Sequence, residues 1–412
     1  MTEPNPILQR VLQRRASGVQ LHITSLPGGR LGPAAYEFVD WLAAAGQAYW
    51  QLLPLNPPDR HRSPYKSRSA FACWRGLLEH PDATVGAGEE ADFREREAFW
   101  IADWERAAGR RGVHDQVRFE REWSALRGYA AGAGVSIIGD LPLYVAPDSV
   151  DHRAHPNLFA RGIVAGAPPD RFTAAGQLWG NPVYRWPALQ RTGYRWWCER
   201  LRRAATLYDL TRIDHFRGLV AYWAVPAGER TARDGRWVRG PGAAPLLAAR
   251  RRLGSLSLIA EDLGVITPAV ERARALLAIP GMAVLQFLFD RDLDLAAATR
   301  ERVLYSGTHD QTTLVGWWDE LAAGPRRRVV QAQRALAIRP GRGRWPLLAL
   351  AAATPAPLLV AQMQDVLGLP AGARMNTPGR ASGNWAWQLP PGAASRPLAR
   401  RLRALTVEAG RV

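Results

Sequence analysis

Apolar residues along this chain gather in short runs, many of which end in a polar or acidic residue beside glycine or proline. Eight runs stand out: Gly18–Thr24, Ala48–Leu55, Ser136–Val145, Tyr208–Phe216, Ser257–Gly264, Val284–Phe289, Arg302–Asp310 and Leu358–Asp365. Runs of this length, bounded by turn residues, predict strands. Helical periodicity occupies the spaces between them. After Pro33, the residues Ala35, Phe38, Val39, Leu42 and Ala43 form one apolar stripe, and Gly46 closes it. Proline near the start and glycine past the end mark an amphipathic helix. Further helices are predicted over Arg195–Leu207, Pro268–Leu277 and Pro397–Ala409. Strands that alternate with helices imply a parallel sheet, because parallel neighbours need crossover connections. Eight such units predict an α/β fold of the (β/α)8 TIM-barrel type rather than an open doubly wound sheet. No glycine-rich phosphate loop follows the first run, which argues against nucleotide binding.

Two connections are long, residues 56–135 and 146–207. The first has a polar, charge-rich middle, and residues 75–133 are read as a short helical insertion. The second is rich in Trp, Gly, Pro and Asn and is expected to be an ordered, substrate-binding loop. The whole of residues 1–412 is expected to be one barrel domain. The remainder, 366–412, is too short for an added C-terminal β-sandwich of roughly 100 residues.

Composition narrows the class. With 47% hydrophobic and 22% charged residues over 412 positions, the chain can bury a large core, which excludes wholesale disorder. Two cysteines, Cys73 and Cys198, cannot build a disulfide framework or a thiolate metal site. Fifty-four basic against 37 acidic residues give +17, and Lys66 is the one lysine. The arginines are scattered, with the densest groups at Arg200–Arg203 and Arg326–Arg328. Nucleic-acid footprints need clustering with interleaved aromatics, so the excess reads as a solvated basic surface; polyanion binding is the alternative. Met1–Gly18 has no apolar leader, and Trp345–Ala361 is broken by Pro346, Pro355 and Pro357. No nucleic-acid partner, no membrane partner and a cytoplasmic location are therefore expected.

In a barrel of this kind chemistry sits at the carboxyl ends of the strands. Four acids fall there: Asp140, Asp214, Glu261 and Asp310. A lone acid at such a place is as well explained by a salt bridge or a helix cap. Several converging on one opening are what glycosidic bond cleavage requires, one carboxylate to meet the anomeric carbon and another to protonate the leaving oxygen. Arg212 lies two residues before Asp214, so the period of a strand puts both on one face, and a guanidinium there favours the ionised acid. Glu261 needs the opposite treatment, a carboxyl kept protonated by desolvation and nearby negative charge. The Asp, Glu and His residues show no tight ligand spacing, so neither a metal nor another cofactor is expected.

The order and wording of these segments closely resemble the amylomaltases, the 4-α-glucanotransferases that disproportionate maltooligosaccharides. The resemblance covers most of the chain. It runs through Leu31–Tyr36, Ala45–Gln51, Ser63–Tyr65, Ile138–Val145, Gly176–Pro182, Arg212–Gly218, Ala260–Gly264, Gly307–Asp310, Ala373–Gly379 and Ser382–Trp385. It implies Asp214 as nucleophile, Glu261 as general acid/base and Asp310 as stabiliser of the transition state. It also implies that Arg212 and His309 hold the sugar at the cleavage point, with Tyr65, Asp140, Gln177, Trp179 and Asn376 along the groove. Flat faces of Tyr65 and Trp179 suit sugar C–H surfaces, while Asp140, Gln177 and Asn376 can bind hydroxyls. Core packing remains the other reading of Trp179, and a structural histidine that of His309. The implied reaction is retaining transglycosylation through a covalent glucosyl-enzyme, with the carboxyl groups of the pair about 5–5.5 Å apart. Maltooligosaccharides and other α-1,4-glucans would be donors, and glucose or maltooligosaccharides acceptors.

The chain departs from the amylomaltase pattern at the rim. Arg30 follows Gly29 without the usual turn, Cys73-Trp74 replaces Gly-Asn, Arg171 stands where an aromatic is common, the link 290–302 is short, and Gln311 replaces Asn. A shorter rim is expected to let water compete for the glucosyl-enzyme. An amylase-type α-glucan hydrolase and a non-catalytic glucan-binding protein are the competing readings.

Overall fold

The computed structural model describes residues 14–170, 173–380 and 382–411. Arg171, one of the rim departures, lies outside them. Twelve strands are formed by the described residues: β1 Ala16–Gln20, β2 Tyr49–Gln51, β3 Ser136–Leu141, β4 Phe159–Ala167, β5 Gln177–Tyr184, β6 Leu210–Ile213, β7 Ala221–Pro226, β8 Arg236–Arg239, β9 Leu258–Ala260, β10 Gly281–Val284, β11 Arg302–Tyr305 and β12 Leu358–Gln362. Eight of them make one sheet in the order β10-β11-β12-β1-β2-β3-β6-β9. Followed from β1, that is the order in which the chain produces them. The registers of β12 with β1, β1 with β2, β2 with β3, β6 with β9, and β10 with β11 are all parallel. The architecture is a (β/α)8 barrel, as the alternation of apolar runs and helical stretches predicts.

Each of the eight apolar runs meets one barrel strand, but the sixth is displaced. The strand occupies Gly281–Val284, and Leu285–Phe287 turns into a 3-10 helix. The preceding helix Pro268–Leu277 is stopped by Ala278 in the left-handed region and by Pro280, so extended backbone begins sooner than the apolar run suggests. Phe287, read as part of the strand, is exposed.

The remaining strands form a second sheet, antiparallel, in the order β5-β4-β7-β8. Two of them, β4 and β5, lie within residues 146–207, where the sequence was read as a loop. Glycines hide them: Gly162, Gly176 and Gly180 all have positive φ, and the β4–β5 register is irregular on either side of Val164. A pattern broken in this way has no clean period of two.

The chain divides into two compact units, Met1–Leu53 with Ser124–Gly139 and Pro280–Val412, and Pro54–Trp123 with Asp140–Ile279. In the first, Ala35, Phe38, Val39 and Leu42 of the stripe on the helix Pro33–Ala44 are buried as predicted, Ala43 is half-buried, and Phe38 meets Trp50 edge-on at 5.1 Å. Trp50 Nε1 donates to the Leu21 carbonyl at 2.7 Å, so the largest core ring is also satisfied. In the second unit, Glu97 is buried against the helix Arg195–Leu207. It accepts from Arg203 at 3.0 Å, from Arg202 at 2.5 Å and from Trp100 at 2.6 Å. A buried carboxylate with three donors is satisfied and fixes the Ala87–Arg96 region to that helix. Among the described residues no helix is long and apolar enough to cross a membrane.

Candidate active site

The candidate acids follow directly from where strands end. Asp140 lies inside β3, next to its last residue; Asp214 follows β6 and Glu261 follows β9; Asp310 lies five residues beyond β11. Four of the residues singled out from sequence form one connected cluster in the second unit. Arg212 Nη1 bonds both oxygens of Asp140, at 2.9 and 2.8 Å, and Nη2 lies 3.0 Å from Asp214 Oδ1. Tyr65 Oη donates to Asp140 Oδ2 at 2.6 Å.

Asp140 sits at the base of this cluster. Its side chain is 0% exposed, and its oxygens accept from Arg212 and Tyr65. It is the counter-ion beneath Arg212. Although burial opposes the charge, Asp140 and then Asp214 hold Arg212 firmly protonated. Asp214 is the more open acid of the two, with 28% of its side chain exposed.

Glu261 is treated differently. Its Oε2 accepts from the His215 amide at 2.6 Å, and its Oε1 from the Leu263 amide at 3.1 Å. Burial pushes its carboxyl up to about 8; Asp214 adds to the rise, while Arg212 and the two amides oppose it. The rise favours the protonated form of Glu261, beside Asp214, which is paired with Arg212. Around them, Trp179 Nε1 donates to Gln177 Oε1 at 3.1 Å on β5, and the Trp179 ring meets His215 edge-on at 4.8 Å.

The first unit holds the rest. Asn376 Nδ2 donates to Asp310 Oδ1 at 2.6 Å, and His309 Nε2 lies 3.5 Å from the same oxygen. Arg374 fastens the segment by donating to the Asp310 carbonyl at 2.6 Å, and the Asn376 amide donates to the His309 carbonyl at 2.9 Å. Gln311, the departure noted above, accepts from both the amide and the hydroxyl of Thr308, at 2.8 and 2.5 Å, and closes the turn that carries His309 and Asp310. His309 stacks obliquely on Trp385 at 5.7 Å.

Comparison with known proteins decides the family. The family model described as 4-alpha-glucanotransferase, glycoside hydrolase family 77, matches residues 21–111 and 90–394. The chain belongs to that family. A 4-alpha-glucanotransferase of Thermus thermophilus is 38% identical, over 95% of this chain and 98% of that one. One from Synechocystis sp. is 34% identical, over 97% and 99%. The solved amylomaltase of Streptococcus agalactiae, in complex with acarbose, superposes with a TM-score of 0.89 at 29% identity, covering 97% of this chain and 100% of that one. This family 77 chain is an enzyme, a 4-α-glucanotransferase.

Three residues that shape the candidate site here lie inside the quoted motifs but are not singled out by the sequence. His215 and Leu263 act through backbone amides, which no side-chain pattern reveals. Arg374 acts on a carbonyl, and its one signal is its place in Ala373–Gly379, two residues before Asn376.

Proposed function

We propose that the enzyme transfers segments of α-1,4-glucan between maltooligosaccharides by retaining double displacement. Asp214, ion-paired with Arg212, attacks the anomeric carbon, while Glu261 gives its proton to the departing 4-oxygen. The products of this half-reaction are a glucosyl ester on Asp214 and a free, shortened oligosaccharide. Glu261, now a carboxylate, takes the proton from the 4-hydroxyl of an acceptor sugar, which displaces Asp214 and regenerates both groups. Asp310, held by Asn376 and beside His309, serves as the third acid, steadying positive charge on the ring in the transition state. Gln177 and Trp179 bind sugars along the groove, and Tyr65 does so with its hydroxyl fixed on Asp140. Glucose or a maltooligosaccharide accepts the segment.

The observation that supports this best is the contrast between two neighbouring acids: Asp214 paired with a buried guanidinium, and Glu261 holding its proton through burial. Attack needs the ionised form of one group and proton donation the neutral form of the other. The residue ranges 75–133 and 146–207 are proposed as the parts of one catalytic domain that shape this groove.

Maltotriose with and without labelled glucose tests the proposal. Label in a ladder of longer glucans, with little gain in reducing ends, is the expected result. Free glucose with rising reducing ends would replace transfer by hydrolysis, and no change would remove the catalytic reading.

A further inference from the structure

His215 occupies an unusual position in the second unit. It is a non-glycine residue in the left-handed region, with φ 50° and ψ 45°, immediately after Asp214. Such a conformation is uncommon for residues other than glycine, although histidine, asparagine and aspartate adopt it more often than most, and it persists where its surroundings impose it. Three contacts do so. The amide N–H is committed to Glu261 Oε2 at 2.6 Å. The imidazole meets the Trp179 ring at 4.8 Å, nearly perpendicular, and lies obliquely to the Tyr144 ring at 6.3 Å. Beneath it is Gly218, where a Cβ would stand 2.7 Å from His215 Cδ2 and 2.4 Å from the Leu143 side chain, so only glycine leaves room for the ring.

The same residue therefore touches a groove aromatic with its ring and the acid/base carboxyl with its backbone. We propose that His215 is a positioning residue that ties the setting of the Glu261 carboxyl to the seating of Trp179. The inference rests on the reading of Glu261 as the acid/base and of Trp179 as a sugar platform. A glucan ring lying on Trp179 presses the indole against His215. The braced imidazole keeps its residue left-handed, keeps the amide on Glu261 and keeps water from that carboxyl. An empty or displaced Trp179 loosens all three.

The groups that face Glu261 are consistent with a device built on exclusion of water. Arg212 and Asp214 approach from the end of β6, and the Arg217 guanidinium, stacked 3.9 Å from the Trp237 ring, contributes from the same connection. Asp262, the next residue in the chain, is turned to Arg274 at 3.4 Å. His215 itself is held neutral, pushed down to about 4 by burial, so it packs as an aromatic ring and places no cation beside Glu261.

The test compares His215→Asn, Trp179→Ala and the double variant. Asparagine tolerates the left-handed region and keeps the amide while removing the ring. The Glu261 carboxyl is titrated by difference infrared spectroscopy of each protein against the same background carrying Glu261→Gln, which needs no turnover, and the basic limb of kcat on maltotriose is measured in parallel. Each single variant is expected to move the carboxyl midpoint and the basic limb by at least about one pH unit toward acid, because water replaces the ring. The double variant is expected to move them no further, since the two residues act in series. An unmoved midpoint in His215→Asn, a move toward base, or additive shifts in the double variant would overturn the proposal. Should His215→Asn unfold, Trp179→Ala decides by the same midpoint. Failure of the underlying reading shows elsewhere: Glu261→Gln would then keep wild-type transfer, whatever the titration reports.

Discussion

Glu261 and Glu90 both belong to the second unit, and both are drawn into networks with arginine, yet their protons behave in opposite ways. Glu90, on the helix Ala87–Arg96, accepts from Arg94 at 2.9 Å and from Arg110 at 2.9 Å, and lies 2.9 Å from His114 Nε2. These hydrogen bonds, Arg110 foremost, pull its carboxyl down to about 2 against the opposition of burial. Glu261 shares its arginine with Asp140 and Asp214, receives only amide donors of its own, and is pushed up to about 8. The count of nearby arginines does not distinguish a structural acid from a catalytic one. What distinguishes them is whether the guanidinium is spent on the acid itself or on its neighbours, and how dry the carboxyl is.

The largest effect that can break this contrast is on catalysis. Glu261→Gln is expected to lower kcat/KM on maltotriose by about 10²–10⁴-fold, the range for loss of a general acid. Glu90→Gln is expected to leave the rate within about twofold, because the buried Glu90 bonds Arg94, Arg110 and His114 and none of the candidate acids, so its loss alters stability only. Initial rates with both purified variants check the pair. A rate loss in Glu90→Gln comparable to that in Glu261→Gln would erase the distinction.

Next in size is the arginine that makes the contrast possible. Asp140→Asn removes the buried counter-ion of Arg212, and breaking such a pair costs about 3–5 kcal/mol. Calorimetric melting should show the loss at neutral pH. A variant as stable as wild type would mean that Asp214 alone satisfies Arg212.

How much of this was readable in the sequence follows from the same contrast. The barrel was legible because each strand is a buried apolar run, and the four acids were legible because they sit at the ends of those runs. Arg212 and Asp214 were correctly paired by the period of a strand. The partners of Asp140 were not legible: its neighbours along the chain are apolar, and the groups that cover it, Tyr65 and Arg212, lie 75 and 72 residues away. Distance in sequence concealed its burial. The antiparallel sheet escaped because Gly162, Gly176 and Gly180 interrupt its alternation, and β8 because its residues are mostly exposed and end in arginine on both sides. The backbone donors His215 and Leu263 were out of reach, since an amide N–H belongs to almost every residue and leaves no signature of its own.

A third test reads the two protons through stability. Glu261 has its carboxyl raised from 4.5 to about 8, so the folded state binds the proton more tightly than the unfolded chain. That contribution is fully present below pH 4.5 and is lost as pH rises through 8. Glu261→Gln cannot ionise and is expected to resist alkaline unfolding better than wild type, by on the order of a few kcal/mol at pH 9. Melting temperatures across pH 5 to about 9 should converge at the acid end and separate at the alkaline end. Parallel curves would show that burial of Glu261 does not retain its proton.

The smallest effect completes the comparison from the other side. Glu90 has its carboxyl lowered from 4.5 to about 2, so its contribution is present above pH 4.5 and is lost as pH falls toward 2. Glu90→Gln is thus expected to destabilise at neutral pH and to match wild type near pH 2. The magnitude at neutral pH is about 1 kcal/mol, because Arg110 is 69% exposed and solvent screens the pair. Added salt discriminates further: an exposed guanidinium is screened over about 10 Å at 0.1 M ionic strength and over about 3 Å at 1 M, whereas the Arg212–Asp140 pair lies inside the protein and feels little of this. Raising salt from 0.1 to 1 M, on the scale of those screening lengths, should therefore shrink the melting difference of Glu90→Gln and leave that of Asp140→Asn nearly intact. Equal salt responses would mean that the two arginine networks are equally open to solvent, and the burial on which the protonation of Glu261 depends would lose its support.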